Sequence, residues 1–360
     1  MIIKSFKAKG FRNIDEATLH FDRGINVLLG RNAQGKTNAV EGIYLFARGK
    51  SFRHGDDKDL VKKGADGFNI SIEFENKSGS ETLEYAFYGN QRRRKKNGYK
   101  VAKASEMIGS FKAVLFCPDD LDLVKGGPEM RREFLNVAIS QCFPSYVSVY
   151  SDYKKALENR NALLKNASKG LYFDERELIA WSGLIARYAS YVYVQRRDYI
   201  KKLEVYAKSF MSEISDGNES LEMSYSTDIS DSYDRKDVEE EYKRIFTENI
   251  MKERYAGVSL YGPHREDIVI TLNGMDSRVF ASQGQQRSVV LALKMAEGEV
   301  SRELFSEYPV FLFDDVLSEL DEKRQSFVLS GIKDKQIIIT SCENINAAGH
   351  VINVEGGGFS

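Results

Sequence analysis

The order of hydrophobic and polar positions predicts β-strands in the first third of the chain. Residues alternate between apolar and polar over Met1–Phe11 and Glu16–Asp22, which is typical of strands with one buried face. Ile25–Gly30 (INVLLG) is instead a continuous apolar run, as in a parallel strand that is buried on both faces. The helical spacing of Thr37–Gly49 follows directly. Further strands are predicted at Asn69–Phe74, Leu83–Tyr88 and Phe111–Phe116.

The middle of the chain has a different periodicity. Apolar residues recur at helical spacing between Gly127 and about Gly257, with one strand-like interruption at Ser220–Ser226. After Gly257 a long helix is predicted to begin near Ser282, and strand patterns return on both sides of it. These predicted strands are Arg265–Gly274, Pro309–Asp315, Gln336–Ser341 and His350–Gly357. We therefore predict one α/β domain that is split by a helical insertion. The predicted parts are residues 1–126, the insertion 127–257, and residues 258–360.

Composition and charge narrow the classes of function. The 360 residues carry 52 basic and 53 acidic side chains, so any nucleic-acid partner must be bound by a local basic patch. Cys117, Cys142 and Cys342 form no C-x-x-C pair, which disfavours a zinc site and fits a reducing cytoplasm. No apolar stretch approaches eighteen residues, and the N-terminal segment does not have the pattern of a signal peptide. We expect a cytoplasmic protein with no membrane segment.

A phosphate-binding loop is the first chemical motif. The sequence GRNAQGKT has the G-x-x-x-x-G-K-T pattern and stands between a predicted strand and a predicted helix. Backbone amides at a helix N-terminus bind phosphate, the lysine reaches the β- and γ-phosphates, and the threonine hydroxyl ligates Mg²⁺. The predicted ATP-binding residues are Gly30, Arg31, Asn32, Ala33, Gln34, Gly35, Lys36 and Thr37, of which Lys36 is also catalytic.

Two acids at the end of a buried strand supply the second motif. The apolar run in VFLFDD brings Asp314 and Asp315 to the carboxyl edge of the sheet, where ligands bind in parallel α/β folds. Asp314 is predicted to hold Mg²⁺, together with Thr37. Asp315 is predicted to orient or deprotonate the attacking water. The sequence therefore predicts a P-loop nucleoside triphosphatase.

A polar segment ahead of the long helix is the third motif. Ser282, Gly284 and Gln285 place a hydroxyl and helix N-terminal amides together, which is a second anion site. One nucleotide does not need two γ-phosphate sites in one chain. A second site has a use if each of two chains presents this segment to the nucleotide that the other chain holds. We therefore predict an ATP-dependent homodimer. The alternative interpretation is an ordinary polar cap of the helix.

With these motifs in this order, the chain resembles the ABC-type ATPase heads of chromosome-maintenance and DNA-repair proteins. The resemblance implies a head with an antiparallel β subdomain, a D-loop at Ser318–Asp321 and a switch residue at Thr340. Transporter subunits carry a histidine at that switch position, so the threonine argues against a transporter. A small-molecule kinase with the insertion as its lid is the remaining alternative, in which the Ser-Gly-Gln segment would be accidental.

A closer resemblance is to the RecF family of bacterial recombination mediators. It rests on GRNAQGKTNAVEGIYLFARGKSFR, FCPDDLDLVKGGPEMRREFLN, YGPHRED, FASQGQQRSVVLALKMAE and FDDVLSELDEKR, in that order. Asn136 and Glu266 depart from it, since aspartate is usual at both positions. The resemblance implies ATP-driven dimerisation on double- and single-stranded DNA at gaps, with slow hydrolysis of ATP. It further implies RecR as partner, RecO nearby, and loading of RecA in repair and replication restart.

A run of cations is the candidate DNA contact. Arg92, Arg93, Arg94, Lys95 and Lys96 precede the hairpin-turn signal Asn97-Gly98. Five adjacent cations at a hairpin tip could neutralise several phosphates, which gives affinity without sequence choice. The competing interpretation is a solvated basic turn.

Overall fold

The computed structural model describes residues 1–53, 55–230, 234–330, 334–343 and 349–360. Its strands, in chain order, are β1 Ile2–Phe11, β2 Ile14–His20, β3 Ile25–Leu29, β4 Gly67–Asn76, β5 Gly79–Tyr88, β6 Gln91–Lys96, β7 Tyr99–Lys100, β8 Ala113–Phe116, β9 Leu221–Ser226, β10 Asp267–Leu272, β11 Met275–Asp276, β12 Val310–Phe313, β13 Ile337–Ser341, β14 His350–Glu355 and β15 Gly358–Phe359. The helices are α1 Lys36–Arg48, α2 Asp122–Lys125, α3 Pro128–Cys142, α4 Pro144–Ser168, α5 Glu175–Ile214, α6 Arg235–Glu248, α7 Ile250–Ala256, α8 Ser277–Phe280, α9 Gln283–Phe305 and α10 Glu322–Ser330.

A mainly parallel sheet forms the centre of the fold. Its strand order is β15-β14-β3-β13-β12-β8, and every pair except β15–β14 is parallel. The runs INVLL, VFLF and IIITS supply its inner strands, because strands covered on both faces bury nearly all their side chains. Since β13 lies between β3 and β12, the C-terminal ends of these three strands meet at one edge. The predicted α/β fold class is confirmed.

An antiparallel sheet packs beside the parallel one. Its order is β2-β1-β4-β5-β6-β7, and apolar side chains of β1, β4 and β5 alternate with polar ones. The apolar face shares a core with helix α1 and with residues of the parallel sheet such as Leu28, Leu312 and Ile338. The Asn97-Gly98 turn between β6 and β7 has φ of 51° and 80°, as a tight hairpin requires.

Helices α3 to α7 form an arm with strand β9 among them. The 40-residue helix α5 is the longest element, and at about 1.5 Å per residue it extends about 60 Å. Residues of α5 such as Leu203 and Met211 share a hydrophobic core with α9 residues such as Val289 and Ala292. The arm is therefore packed directly on helix α9. Among the described residues, no helix combines the length and apolar character needed to cross a bilayer.

A buried polar network stabilises the arm around Arg196. Its guanidinium donates to the Pro263 carbonyl over 2.6 Å and to Asn136 Oδ1 over 2.9 Å. Glu266, which is also buried, accepts hydrogen bonds from Tyr225 and Tyr242. Burial raises the pKa of Glu266, while the two tyrosine hydroxyls and the nearby Arg196 charge oppose that shift. The two departures from the family pattern, Asn136 and Glu266, thus belong to one network.

Candidate functional site

The glycine-rich loop joins the C-terminal end of β3 to the N-terminal end of α1. Ala33 and Gly35 have left-handed backbones, with φ of 64° and 117°. A Cβ atom on Gly35 would lie 2.8 Å from Oδ1 of Asn13, so a side chain there would displace the Asn13 amide. The loop therefore forms an open backbone cradle at a helix N-terminus, which is the geometry that binds phosphate.

Lys36 lies inside this cradle. Its Nζ donates to the carbonyl oxygens of Gly30 and Arg31 over 2.6 and 3.1 Å, and lies 3.3 Å from Sγ of Cys342. Only 3% of the residue is exposed. The ammonium is thus held at the centre of the loop, from which it can reach a bound phosphate.

Thr37 and Asp314 meet at the shared strand edge. Thr37 Oγ1 donates to Asp314 Oδ1 over 2.9 Å, although the two residues are 277 positions apart. Burial raises the pKa of Asp314 to about 6; the neighbouring Asp315 adds to the shift, and hydrogen bonds from Thr37 and Thr340 oppose it. Hydroxyl and carboxylate oxygens are donors that Mg²⁺ prefers. The pair therefore fits a magnesium ion, whose chemistry would be to neutralise charge on bound phosphate.

Thr340 connects the two acids. Its Oγ1 lies 3.1 Å from Oδ1 of Asp314 and 3.1 Å from Oδ1 of Asp315, and it accepts a hydrogen bond from the Asp315 amide over 2.9 Å. One hydroxyl proton serves two carboxylates, so it can be donated to only one of them at a time. Asp315 has φ of 54°, a strained conformation for a non-glycine residue that is typical of functional sites. The structure thus brings Thr340 to both acids.

An open cleft of about 650 Å³ adjoins these residues. Asp315 and Thr340 line it together with Asn32 from the phosphate loop, Ser318 from the D-loop and Cys342. Ser318 Oγ donates to the Asp315 carbonyl over 3.1 Å, and Cys342 Sγ lies 2.8 Å from Asn32 Oδ1. Three segments that are far apart in sequence therefore face one solvent-accessible space.

The Ser-Gly-Gln segment forms the N-terminal cap of α9. Ser282 Oγ accepts from the Gln285 amide over 3.3 Å, and Gln285 Oε1 accepts from the Ser282 amide over 2.8 Å. This reciprocal arrangement is a capping box. The Gln285 side-chain amide also donates to Glu219 Oε1 over 2.8 Å. Ser282 therefore caps α9, which is compatible with both interpretations, and anion binding by this segment stays a prediction.

Arg324 connects the D-loop to the start of α9. Its guanidinium pairs with Asp321 and donates to the Gly284 carbonyl over 2.9 Å and to Ser288 Oγ over 2.7 Å. Within the described residues, no hydrogen bond joins the Ser-Gly-Gln segment to the phosphate loop. The predicted site residues thus form two groups in one chain: the phosphate loop with the acids and Thr340, and the Ser-Gly-Gln segment with the D-loop.

A polar network under the phosphate loop was not predicted. Glu41 of α1 is fully buried and accepts two hydrogen bonds from Arg12, at 2.9 and 2.6 Å. Asn38 contacts Asn13 Oδ1 over 2.7 Å and accepts from Arg53 over 2.8 Å. These hydrogen bonds hold the first turns of α1, which directly follow the phosphate loop, against the segments that contain Arg12, Asn13 and Arg53. A carboxylate among the apolar positions of NAVEGIYLFA was the available signal, since a buried charge requires a partner.

The basic run is placed differently from its prediction. Its five residues form strand β6 itself and do not form a hairpin tip. Successive side chains of a strand point to opposite faces, so the cations are divided between the two faces of the sheet. Ion pairs already link three of them to carboxylates: Arg92 to Asp57, Lys95 to Glu84 and Lys96 to Glu81. The predicted geometry was therefore wrong, and contact with DNA stays a prediction.

Comparison with known proteins relates the whole chain to one family. A family model described as the RecF/RecN/SMC N-terminal domain matches residues 2–354. A DNA replication and repair protein RecF from Clostridium kluyveri is 38% identical over 347 residues, which are 96% of this chain and 94% of the relative. The RecF protein of Bacillus subtilis is 36% identical over 352 residues, which are 97% and 95% of the two chains.

Solved structures agree with this relationship. The recombination mediator protein RecF with ATP, described in the RecFOR pathway, superimposes with a TM-score of 0.92 at 33% identity and covers 100% of this chain and 97% of that one. An SMC head bound to the C-terminal winged-helix domain of ScpA has a TM-score of 0.58 at 16% identity, which supports the fold alone. The predicted ABC-type ATPase head is therefore confirmed. The chain belongs to the RecF family of DNA replication and repair proteins.

Proposed function

We propose that this protein is an ATP-binding recombination mediator that dimerises on DNA when it binds ATP and Mg²⁺. The hydrogen-bonded set of Thr37, Asp314 and Thr340 beside the Lys36 loop carries the proposal, because it unites a phosphate cradle with oxygen donors for a metal. RecF relatives with the same fold have been solved with ATP, which supports ATP as the nucleotide. In this proposal, residues 1–126 and 258–360 form the ATPase head and residues 127–257 form the arm.

The Ser-Gly-Gln segment supports an interface in trans. A Cβ on Gly284 would meet only Arg324 Nη2, at 3.6 Å, so packing within this chain does not require a glycine. A glycine that packing within the chain does not require fits close approach by another molecule. In our proposal that molecule is the nucleotide of a second copy, contacted by Ser282, Gly284 and Gln285.

Asp315 is the proposed catalytic residue, and hydrolysis is proposed to be slow. Its carboxylate faces the cleft, and it is positioned by Thr340 and by the left-handed backbone. The lifetime of the ATP-bound dimer would then act as the signal, with turnover well below about 10 s⁻¹. We further propose that the dimer works in the cytoplasm at gaps between double- and single-stranded DNA. RecR would be its direct partner, with RecO nearby and RecA loading as the outcome.

The test is sedimentation of the protein with a fluorescent gapped duplex, with and without ATP and Mg²⁺. We expect ATP to convert a weak monomer complex into a DNA-bound dimer. Lys36→Arg should impair that conversion, because arginine alters the phosphate geometry while keeping the charge. Ser282→Arg should leave ATP binding by the monomer intact and block dimerisation. A protein that stays monomeric and ignores DNA in both conditions would overturn the proposal.

A further inference from the structure

The antiparallel sheet has one face whose outward side chains are mostly exposed among the described residues. On β1, the side chains of Phe6 and Ala8 are buried in the core, whereas Lys7 and Lys9 are exposed. On β4 and β5 the same alternation leaves mostly polar or small residues outside, together with the exposed ring of Tyr88. Because side chains alternate with a period of two, the outward positions of neighbouring strands lie on one continuous surface. We call this surface the outer sheet face.

The strand register aligns cations across this face. Lys7 of β1 lies opposite a β4 residue, and the pairing continues across β5, β6 and β7. The resulting cross-strand row is Lys7, Ser71, Glu84, Lys95 and Lys100. It has a cation near each end and one ion pair, Lys95 with Glu84 at 2.9 Å.

A second row runs parallel to the first. Its members are Lys9, Asn69, Ala86 and Arg93. Again the cations stand on β1 and β6, and only small neutral side chains lie between them. With strands about 4.8 Å apart, the two cationic edges are about 14 Å apart. The outer sheet face therefore has one set of cations along β1 and a second set along β6.

Several of these cations form no ion pair with the part of the chain that the structure describes. Lys9 pairs with Glu16 over 2.8 Å, and Lys95 pairs with Glu84. For Lys7, Arg93 and Lys100 there is no ion pair with any residue that the structure describes, and all three are exposed. Glu73 and Glu75 are further carboxylates on the face, and Glu75 pairs with Lys4 over 2.8 Å. With Lys4 included, cations outnumber acids there by six to four. The face therefore has surplus positive charge available to a ligand.

The other cations of β6 are occupied internally. Arg92 pairs with Asp57, Arg94 lies over the Tyr85 ring at 5.1 Å, and Lys96 bonds Ser110 Oγ over 2.8 Å. These three point to the opposite face, toward the core and the segments that cover it. Of the cations in strand β6, only Arg93 and Lys95 thus lie on the outer sheet face.

We propose that the outer sheet face is a docking surface for the sugar-phosphate backbone of DNA. The proposal rests on the DNA-binding function proposed above and assigns that function to Lys7, Arg93 and Lys100. A polar sheet face without deep pockets gives binding that depends on charge and is independent of base sequence. Arg92, Arg94 and Lys96 take no part in it. The alternation of β6 therefore divides the basic run into two residues on the DNA-facing side and three residues with structural contacts on the other side.

Two variants with equal loss of charge test this assignment. Lys7→Gln/Arg93→Gln/Lys100→Gln removes the free cations, and Arg92→Gln/Arg94→Gln/Lys96→Gln is the control from the opposite face. Binding of a fluorescent gapped duplex is titrated at several salt concentrations. We expect the first variant to lose at least tenfold in affinity and its salt slope to fall by about 2 to 3, since each phosphate contact contributes about 0.9. The control should stay within twofold of the parent.

The outcomes separate this inference from the proposed function. Both variants must first show parental ATP binding, which verifies the fold independently of DNA. If the parent binds DNA and both variants bind it equally well or lose equally, the outer sheet face is not the docking surface. If the parent itself does not bind the duplex with or without ATP, DNA binding as a function is wrong, and this inference falls with it.

Discussion

The side-chain amide of Gln285 donates a 2.8 Å hydrogen bond to Glu219, a residue of the turn between α5 and β9. The same amide group accepts from the Ser282 backbone through its oxygen. Glu219 therefore determines which way the amide is oriented, because a carboxylate can only accept hydrogen bonds. A residue of the arm thus holds Ser282 in place through a single intermediary.

Glu219→Ala should weaken ATP-dependent dimerisation while ATP binding by the monomer is unchanged. A hydrogen bond to a charged group contributes about 1.5–3 kcal/mol, and this one is partly exposed, so we expect a loss of about five- to tenfold. Sedimentation with ATP measures the dimer constant. Glu222→Ala removes an exposed carboxylate three positions further on and is the matched control. Equal dimerisation of the two variants would show that Glu219 does not position the segment.

Alkylation of Cys342 should abolish nucleotide binding. Its exposed thiol is in contact with Lys36 Nζ and Asn32 Oδ1, so an adduct would occupy the phosphate loop. Burial raises the pKa of the Cys117 and Cys142 thiols, which should therefore react slowly. The measurement is binding of a fluorescent ATP analogue before and after iodoacetamide, and ATP should protect the thiol. Cys342→Ser should resist the reagent; inactivation of that variant would assign the effect to another cysteine.

The stability of the protein should fall as pH rises from about 5 to about 7. Burial raises the pKa of Glu297 to about 7, and the nearby carboxylate of Asp120 adds to the shift while Lys294, at 3.7 Å, opposes it. Between its unfolded-state and folded-state pKa values such a carboxyl binds more protons in the folded protein than in the unfolded chain, so stability falls across that range and levels off above it. Chemical denaturation across this range measures the effect. Glu297→Gln should flatten the profile; an unchanged pH dependence would exclude Glu297 as its source.

Removing Arg196 should unfold the arm at lower denaturant without altering the nucleotide site. Arg196→Ala removes the donor to Asn136 Oδ1 and to the Pro263 carbonyl, and also the positive charge near Glu266; breaking such a buried network costs about 3–5 kcal/mol. Asn136→Asp should cost much less, because an aspartate oxygen can accept the same bonds from Arg196 and Tyr146. Denaturant midpoints give the comparison. Similar losses for the two variants would contradict a network centred on Arg196.

Sequence patterns were sufficient for the central sheet because its strands are nearly uniform apolar runs. INVLL, VFLF and IIITS allow only a buried strand, and their adjacent motifs then meet at one edge. Strand β6 was missed because six polar residues have no hydrophobic period. The Arg12–Glu41 and Gln285–Glu219 contacts were also missed. Each joins residues 29 or 66 positions apart, and such pairs depend on tertiary packing that local patterns do not contain.

Helix α5 connects two distant parts of the molecule as a stiff rod. Its first residue, Glu175, lies 3.8 Å from Arg254 of α7. Just beyond its last residue, Asp216 pairs with Lys323 beside the D-loop and Glu219 holds Gln285. A partner that displaces the outer end of the arm would therefore shift the Asp216–Lys323 and Glu219–Gln285 contacts together. Force on the arm and a change at the nucleotide edge would then act on the same rigid helix, so each would be transmitted to the other.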